Sequence, residues 1–197
     1  NAQTGVGFQP NWVWLKQRGG SAASHKLYDS VRGTTKYIAS NNTGAEATDS
    51  NGLTAFGTDG FTVGSSAGTN ANGQTYVGWN WKAGTSVSGN SGGSGTAKSY
   101  TGSVSTASGF SIIKYIGNGS SGHTIPHHLG AIPQWVVIKE LPNASDWMGY
   151  HQVLGNTKTI KLNEPDTPVT GSGYWNNTTP TSSVVTLGSS GEINQND

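Results

Sequence analysis

The chain contains no cysteine, which excludes disulfide bridges, thiolate nucleophiles and cysteine-ligated metal centres. Charge is scarce as well. Asp, Glu, Lys and Arg make up 11% of the 197 residues, and eleven basic against ten acidic side chains leave a formal charge of +1. The basic residues are scattered and form no stripe, so nucleic-acid binding through phosphates is not expected. No apolar run reaches the roughly eighteen residues of a membrane-spanning helix, and membrane insertion is not expected either. Sustained helical periodicity is also missing.

Without covalent ties, such a chain must hold itself together by core size, sheet closure or oligomerisation. Apolar residues amount to 32%, below the 45–50% or so of ordinary globular domains. Gly, Ser, Thr and Asn fill nearly half of the positions. That composition alone suggests disorder, but seven Trp, seven Tyr and four Phe argue for a packed core, because disordered chains are poor in aromatics. A surface made of hydroxyls, amides and backbone suits an extracellular or particle-surface β protein with many turns. The first residue is Asn1 rather than Met, which reads as a processed product or a piece of a longer protein.

The most informative stretch is residues 109–139, GFSIIKYIGNGSSGHTIPHHLGAIPQWVVIK. It reads as strand, Gly-rich turn, strand, loop, strand. Its last part, from Leu129 to Lys139, has a near copy from Val6 to Lys16: a Gly, then Pro three residues on, then Trp two further, then an apolar run ending in Lys. Repetition of this length marks two copies of one β module. Residues 11–16 alternate, with Trp12 and Trp14 on one face and Val13 and Leu15 on the other. Both faces are bulky, which makes the strand central. Further strands are expected at 26–31, 36–39, 53–56, 60–64, 75–82, 110–116, 124–126, 134–139, 147–153, 158–162 and 184–187. Tyr100 and Val104 suggest only weak pairing at a sheet edge, and residues 88–95 read as a flexible linker.

The expected fold is therefore all-β, with two related β-sandwich or jelly-roll-like modules. The first spans residues 1–84, the second 109–197, and a Gly/Ser/Thr-rich segment, 85–108, joins them. The first copy is expected to lack the opening strands that the second has at 109–126. The second is expected to lack the closing strand that the first has at 75–82. Edges left open in this way invite strands from neighbouring copies.

Four blocks are distinctive: Leu27 to Tyr37 (LYDSVRGTTKY), Asp59 to Gly64 (DGFTVG), Tyr76 to Gly84 (YVGWNWKAG) and Gly109 to Ile113 (GFSII). Together they resemble an uncharacterised β module that recurs in tail-fibre and other virion proteins of bacteriophages, especially marine ones. The resemblance covers almost the whole chain. It implies a virion or extracellular setting, a structural or adhesive role, and other copies of the chain and other virion proteins as partners. It brings no catalytic residues.

Chemistry at a site must then come from the residues themselves. Of five His, three lie close together, His123, His127 and His128, but neighbours on a strand point to opposite faces. A polar cluster beside Pro126 is expected there, not a metal centre, and no cofactor is expected. His25 and His151 fall near corresponding places of the two copies and read as structural. The ten acidic residues sit in no catalytic pattern, Asp59 has a turn role before Gly60, and no enzyme activity is expected. Trp12, Trp14, Trp79, Trp81 and Trp135 are expected in the core. Trp147 and Trp175, beside Asp146 and beside Asn176 and Asn177, are the candidates for contact with a host-surface glycan, ring stacked on sugar and amides on hydroxyls. The expected function is a non-enzymatic tail-fibre or surface-appendage subunit. A carbohydrate-binding adhesin or a capsid decoration protein are the alternatives.

Overall fold

A computed structural model describes residues 1–20 and 22–196; Ser21, in the loop expected at 17–25, and Asp197 lie outside the described residues. Among the described residues the structure is all-β apart from three single-turn helices. In chain order the first repeat holds β1 (Ala2–Thr4), β2 (Trp12–Gln17), β3 (Lys26–Asp29), β4 (Lys36–Ala39), β5 (Ala47–Thr48), β6 (Leu53–Gly57), β7 (Gly60–Val63), α1 (Ala67–Asn70) and β8 (Tyr76–Trp81). Then come β9 (Thr85–Asn90), β10 (Gly92–Gly93), β11 (Ser99–Ser105) and β12 (Phe110–Tyr115). The second repeat follows with β13 (His123–Pro126), β14 (Trp135–Ile138), β15 (Met148–His151), β16 (Lys158–Lys161), β17 (Val169–Thr170), α2 (Ser172–Trp175), β18 (Val184–Leu187) and α3 (Gly191–Asn194).

Each repeat is a sandwich. In the first, a five-stranded antiparallel sheet, β5-β4-β3-β2-β8, faces the three-stranded sheet β1-β7-β6. Strand alternation decides what lies between them. Val13, Leu15 and Tyr28 from the larger sheet meet Leu53, Phe61 and Val63 from the smaller one, all of them buried. In the second repeat, β14-β15-β16-β17 faces β10-β13-β18. Met148 and Tyr150 pack there with Ile125, Val185, Leu187, Trp175 and Ile193.

The repeats correspond element by element. Trp12 pairs with Asp29 across β2 and β3, and Trp135 pairs with His151 across β14 and β15. Tyr28 and Tyr150 hold equivalent core positions, each almost fully buried. Helices α1 and α3 are also copies: Asn70 Nδ2 donates to the Gly64 carbonyl at 2.7 Å, and Asn194 Nδ2 to the Gly188 carbonyl at 2.7 Å. The glycine is required at both places. A Cβ on Gly64 would lie 2.7 Å from the Asn51 carbonyl oxygen, and one on Gly188 2.3 Å from that of Gly173.

Two expectations are corrected. The first copy does have an opening strand: β1 pairs with β7 just as β13 pairs with β18. The expectation missed it because Ala2, Gln3 and Thr4 carry no large apolar side chain. The joining segment 85–108, with the flexible linker expected at 88–95, instead carries β9, β10 and β11, and β9 and β11 join β12 in a sheet of order β12-β11-β9. Here small residues mark close packing rather than freedom. A Cβ on Gly102 would stand 2.5 Å from the Ile112 carbonyl oxygen, and Tyr100 and Val104 are buried beside it.

The outer faces of the two larger sheets meet each other. Leu27, Ile38 and Trp147 form a third buried cluster, flanked by Trp12, Trp14, Val137 and Leu141. Trp147 Nε1 donates to the Ala39 carbonyl at 2.9 Å across this junction. Glu46 and Ser145 add main-chain hydrogen bonds to Leu141 and Thr43 at 2.8 and 3.0 Å.

Candidate functional site

Alongside this junction runs a cleft of about 320 Å³, near the lower end of the 300–1,000 Å³ or so typical of ligand sites. Its walls include Trp12 and Trp147, the mutually neutralised Asp29–Arg32 pair, and two uninterrupted runs of residues, 111–117 and 137–142. The run 111–117 marks the edge of β12, because a strand face presents only alternate residues, whereas 137–142 holds the last two residues of β14 and the loop after them. Sheet order agrees: β12 and β14 are both terminal strands of their sheets.

The hydrogen-bond alternation of antiparallel ladders shows which groups each strand turns to its open edge, and of the two such residues in β14 it is Val137 that lines the cleft. The Gln152 amide donates to the Gln134 carbonyl at 2.9 Å, so in β14 the backbone groups of Val136 and Ile138 turn toward β15. Those of Trp135 and Val137 turn to the open edge. The Ile116 amide donates to the Ser99 carbonyl at 3.2 Å, which leaves the backbone groups of Ser111, Ile113 and Tyr115 on the outer edge of β12. That edge is capped at its end, where Gly117 bridges Asn196. Ser111 Oγ is buried without a hydrogen-bond partner among the described residues. Such a site has the chemistry to pair with extended backbone.

Of the residues expected to contact a glycan, Trp147 borders the cleft from the junction and the others lie elsewhere, so the structure does not bring them together. Trp175 is 1% exposed, in the core of the second repeat where Leu53 sits in the first, and Trp147 is 3% exposed in the junction. Neither ring offers a face to a sugar. Asp146 is engaged by Lys161 Nζ at 2.8 Å and Asn163 Nδ2 at 2.8 Å, and these hydrogen bonds hold its carboxyl below the usual range. Asn176 and Asn177 have left-handed backbones that end α2.

Three of the five tryptophans expected in the core are exposed. Trp79, Trp81 and Trp135 are 44%, 36% and 50% exposed, while Trp12 and Trp14 are half-buried against the junction. All five lie on the outer faces of the larger sheets, and the three exposed rings belong to the terminal strands β8 and β14. Trp79 packs edge-on against Trp14 at 5.5 Å, and Trp81 stacks on Phe110 at 6.1 Å. Sequence alternation gave the faces correctly, but not which strands are terminal.

The histidines take separate structural roles. His123 is fully buried between Asn194 Oδ1, 2.8 Å from its Nδ1, and Ser91 Oγ, 2.6 Å from its Nε2. His127 Nε2 meets the Thr181 carbonyl at 3.1 Å, and burial pulls its pKa down. His128 has a positive φ and bonds the Tyr100 hydroxyl at 2.9 Å. His151 occupies the place of Asp29 and accepts the Val153 amide as Asp29 accepts that of Val31. His25, whose pKa burial also lowers, accepts from Trp14 Nε1 at 3.1 Å. Among the described residues, no group of three or more His, Asp or Glu is placed to hold a metal ion.

This all-β chain with an open-edged cleft belongs to a protein-domain family of unknown function. Residues 1–197 match the family described as Domain of unknown function (DUF7483). No curated protein and no solved structure matches the chain.

Proposed function

We propose that the chain is a non-enzymatic structural subunit of a bacteriophage virion, part of a tail fibre or other surface appendage. It assembles through open sheet edges with copies of itself and with other virion proteins, and turns its polar loops to the host or the surroundings. The observation that carries this reading is the free edge of β14. Trp135 is half exposed on it, and neither proline nor charge interrupts Trp135–Ile138. Proteins that stay monomeric blunt such edges with charge, proline, bulges or a covering element. The resemblance of the Leu27, Asp59, Tyr76 and Gly109 blocks to phage virion modules supports the setting. A capsid decoration role uses the same edge chemistry. Sedimentation over a wide concentration range tests the reading: the chain is expected to self-associate, and Trp135→Lys to reduce it. A chain that stays monomeric throughout refutes it.

A second reading, a carbohydrate-binding adhesin, is favoured by the exposed Trp79 and by Trp81 stacked on Phe110. Its site is then this outer face rather than Trp147 and Trp175. Absence of binding to any surface polysaccharide on a glycan array, with Trp79→Ala as control, removes it.

A further inference from the structure

We infer that the cleft beside β14 is an acceptor for one extended strand with the residue pattern of β8, Tyr-x-Gly-Trp-x-Trp, supplied by another polypeptide segment. The inference rests on the assembly reading and gives its edge a defined partner and register.

The first repeat shows what covers this edge when it is covered. Strand β2, the counterpart of β14, pairs with β8 over its whole length, Trp12 opposite Trp81 and Trp14 opposite Trp79. The Arg18 amide donates to the Thr75 carbonyl at 2.7 Å in the same ladder, so Trp12, Trp14 and Lys16 present their backbone groups to β8. Their counterparts are Trp135, Val137 and Lys139. Trp135 and Val137 are the β14 residues whose backbone groups turn to the open edge, and no strand pairs there among the described residues. The edge of β14 is therefore preset, in hydrogen-bonding phase, for the partner that β2 already has.

The surroundings fit a single strand. A second open edge, β12, faces the same cleft, so an inserted strand meets backbone groups on both sides. Alternate side chains of the strand fall against Trp12 and Trp147, as those of β8 fall against Trp14 and Phe110. Helix α1 leads through a short turn into β8, and Gln195, just past its copy α3, lines the cleft. Copying the β2–β8 register puts the second Trp of the pattern opposite Trp135 and the first opposite Val137.

The test uses the whole chain and a synthetic peptide with the sequence of residues 71–84. Expected are saturable one-to-one binding and slowed amide exchange at Trp135 and Val137. Val137→Pro, which removes one outward amide, is expected to weaken binding about tenfold. Trp135→Pro serves if that variant does not fold. A peptide with both Trp moved by one position is expected not to bind, because a one-residue slip turns them to the wrong face. Protection that leaves β14 untouched, or equal binding of the shifted peptide, overturns the inference. If the peptide fails while self-association remains sensitive to Trp135→Lys, the strand pattern is wrong and the assembly reading stands. If both fail, both readings go.

Discussion

Trp147 of the second repeat donates its indole N–H to the carbonyl of Ala39 in the first, at 2.9 Å and out of contact with water. Trp175 is as deeply buried, yet its Nε1 has no acceptor among the described residues. The two rings thus separate the worth of a buried hydrogen bond from that of a buried ring. Trp147→Phe leaves the Ala39 carbonyl unpaired, which costs about 1–3 kcal/mol beyond lost packing. Trp175→Phe removes an unpaired donor and loses packing alone. Thermal melts are expected to rank Trp147→Phe as the more destabilised by at least about 1 kcal/mol. Equal losses would mean that the junction hydrogen bond contributes nothing.

Asn194 carries four hydrogen bonds in a fully buried position. Its Oδ1 accepts from the Asn118 amide at 3.0 Å and from His123 Nδ1, and its Nδ2 donates to the Ser120 and Gly188 carbonyls at 3.0 and 2.7 Å. Because both Nδ2 hydrogens are used on carbonyls, the amide orientation is fixed and His123 must donate from Nδ1. The side chain of Asn70, its counterpart, makes only the bond to Gly64 among the described residues, in a half-buried place. Urea unfolding is expected to show a loss of more than about 3 kcal/mol for Asn194→Ala and about 1 kcal/mol for Asn70→Ala. Similar losses would show that the buried network adds nothing to the helix clasp.

Much of this fold was legible in the sequence because period-two alternation names strand faces whatever the tertiary context. That Val13 and Leu15 share one face and Trp12 and Trp14 the other followed from spacing alone, but which face turns to the sandwich core did not. The repeated Gly-x-x-Pro-x-Trp block also located the two modules. Position within a sheet was not legible. Trp79 and Trp135 look like core residues on hydrophobicity, and they are exposed because β8 and β14 are terminal strands. Trp175 looked like a loop aromatic because Gly, Ser and Asn surround it, yet the one-turn helix α2 aims it into the core. The open edge of the second repeat was legible from its missing counterpart of residues 75–82, but the cleft was not, because sequence does not show how the two larger sheets pack on each other.

Gly102 tests whether the Gly/Ser-rich connection is a working part of the fold. Its missing side chain lets β11 lie against β12, with the Ile112 carbonyl oxygen and Ile113 Cδ1 each 2.5 Å from where a Cβ would stand. Carbonyls in a ladder cannot retreat as a side-chain tip can. Gly102→Ala is therefore expected to cost about 1–3 kcal/mol, read as a lower denaturation midpoint. Gly171, with open space around it, makes the control, and Gly171→Ala is expected to change the midpoint little. A silent Gly102→Ala would return this segment to the status of a linker.

Asp59 is one of the groups through which acid is expected to loosen the first repeat, beside Asp49, whose carboxyl is held down, against burial, by hydrogen bonds from Lys26 and Ser66. Its carboxylate accepts the Gly7 amide at 2.6 Å and the Gly5 amide at 3.0 Å, and its carbonyl accepts Val6 at 3.2 Å, so one residue gathers the loop between β1 and β2. The Gly7 and then the Gly5 hydrogen bond hold the carboxyl below its ordinary value. A carboxylate lowered in the folded state adds stability that is complete above its unfolded pKa, about 3.9. That stability is lost as pH falls through the lower folded value. Asp146 shifts the same way, through Lys161 first, so acid lability of the whole chain has more than one source. The difference between the wild-type chain and Asp59→Asn isolates Asp59. The variant is expected to be less stable at pH 7 and to converge on the wild type below the ordinary carboxylate range. Faster amide exchange at Gly5 and Gly7 in the variant at neutral pH places the loss in this loop, and a constant difference across the whole pH range would mean that the charge plays no part in holding it.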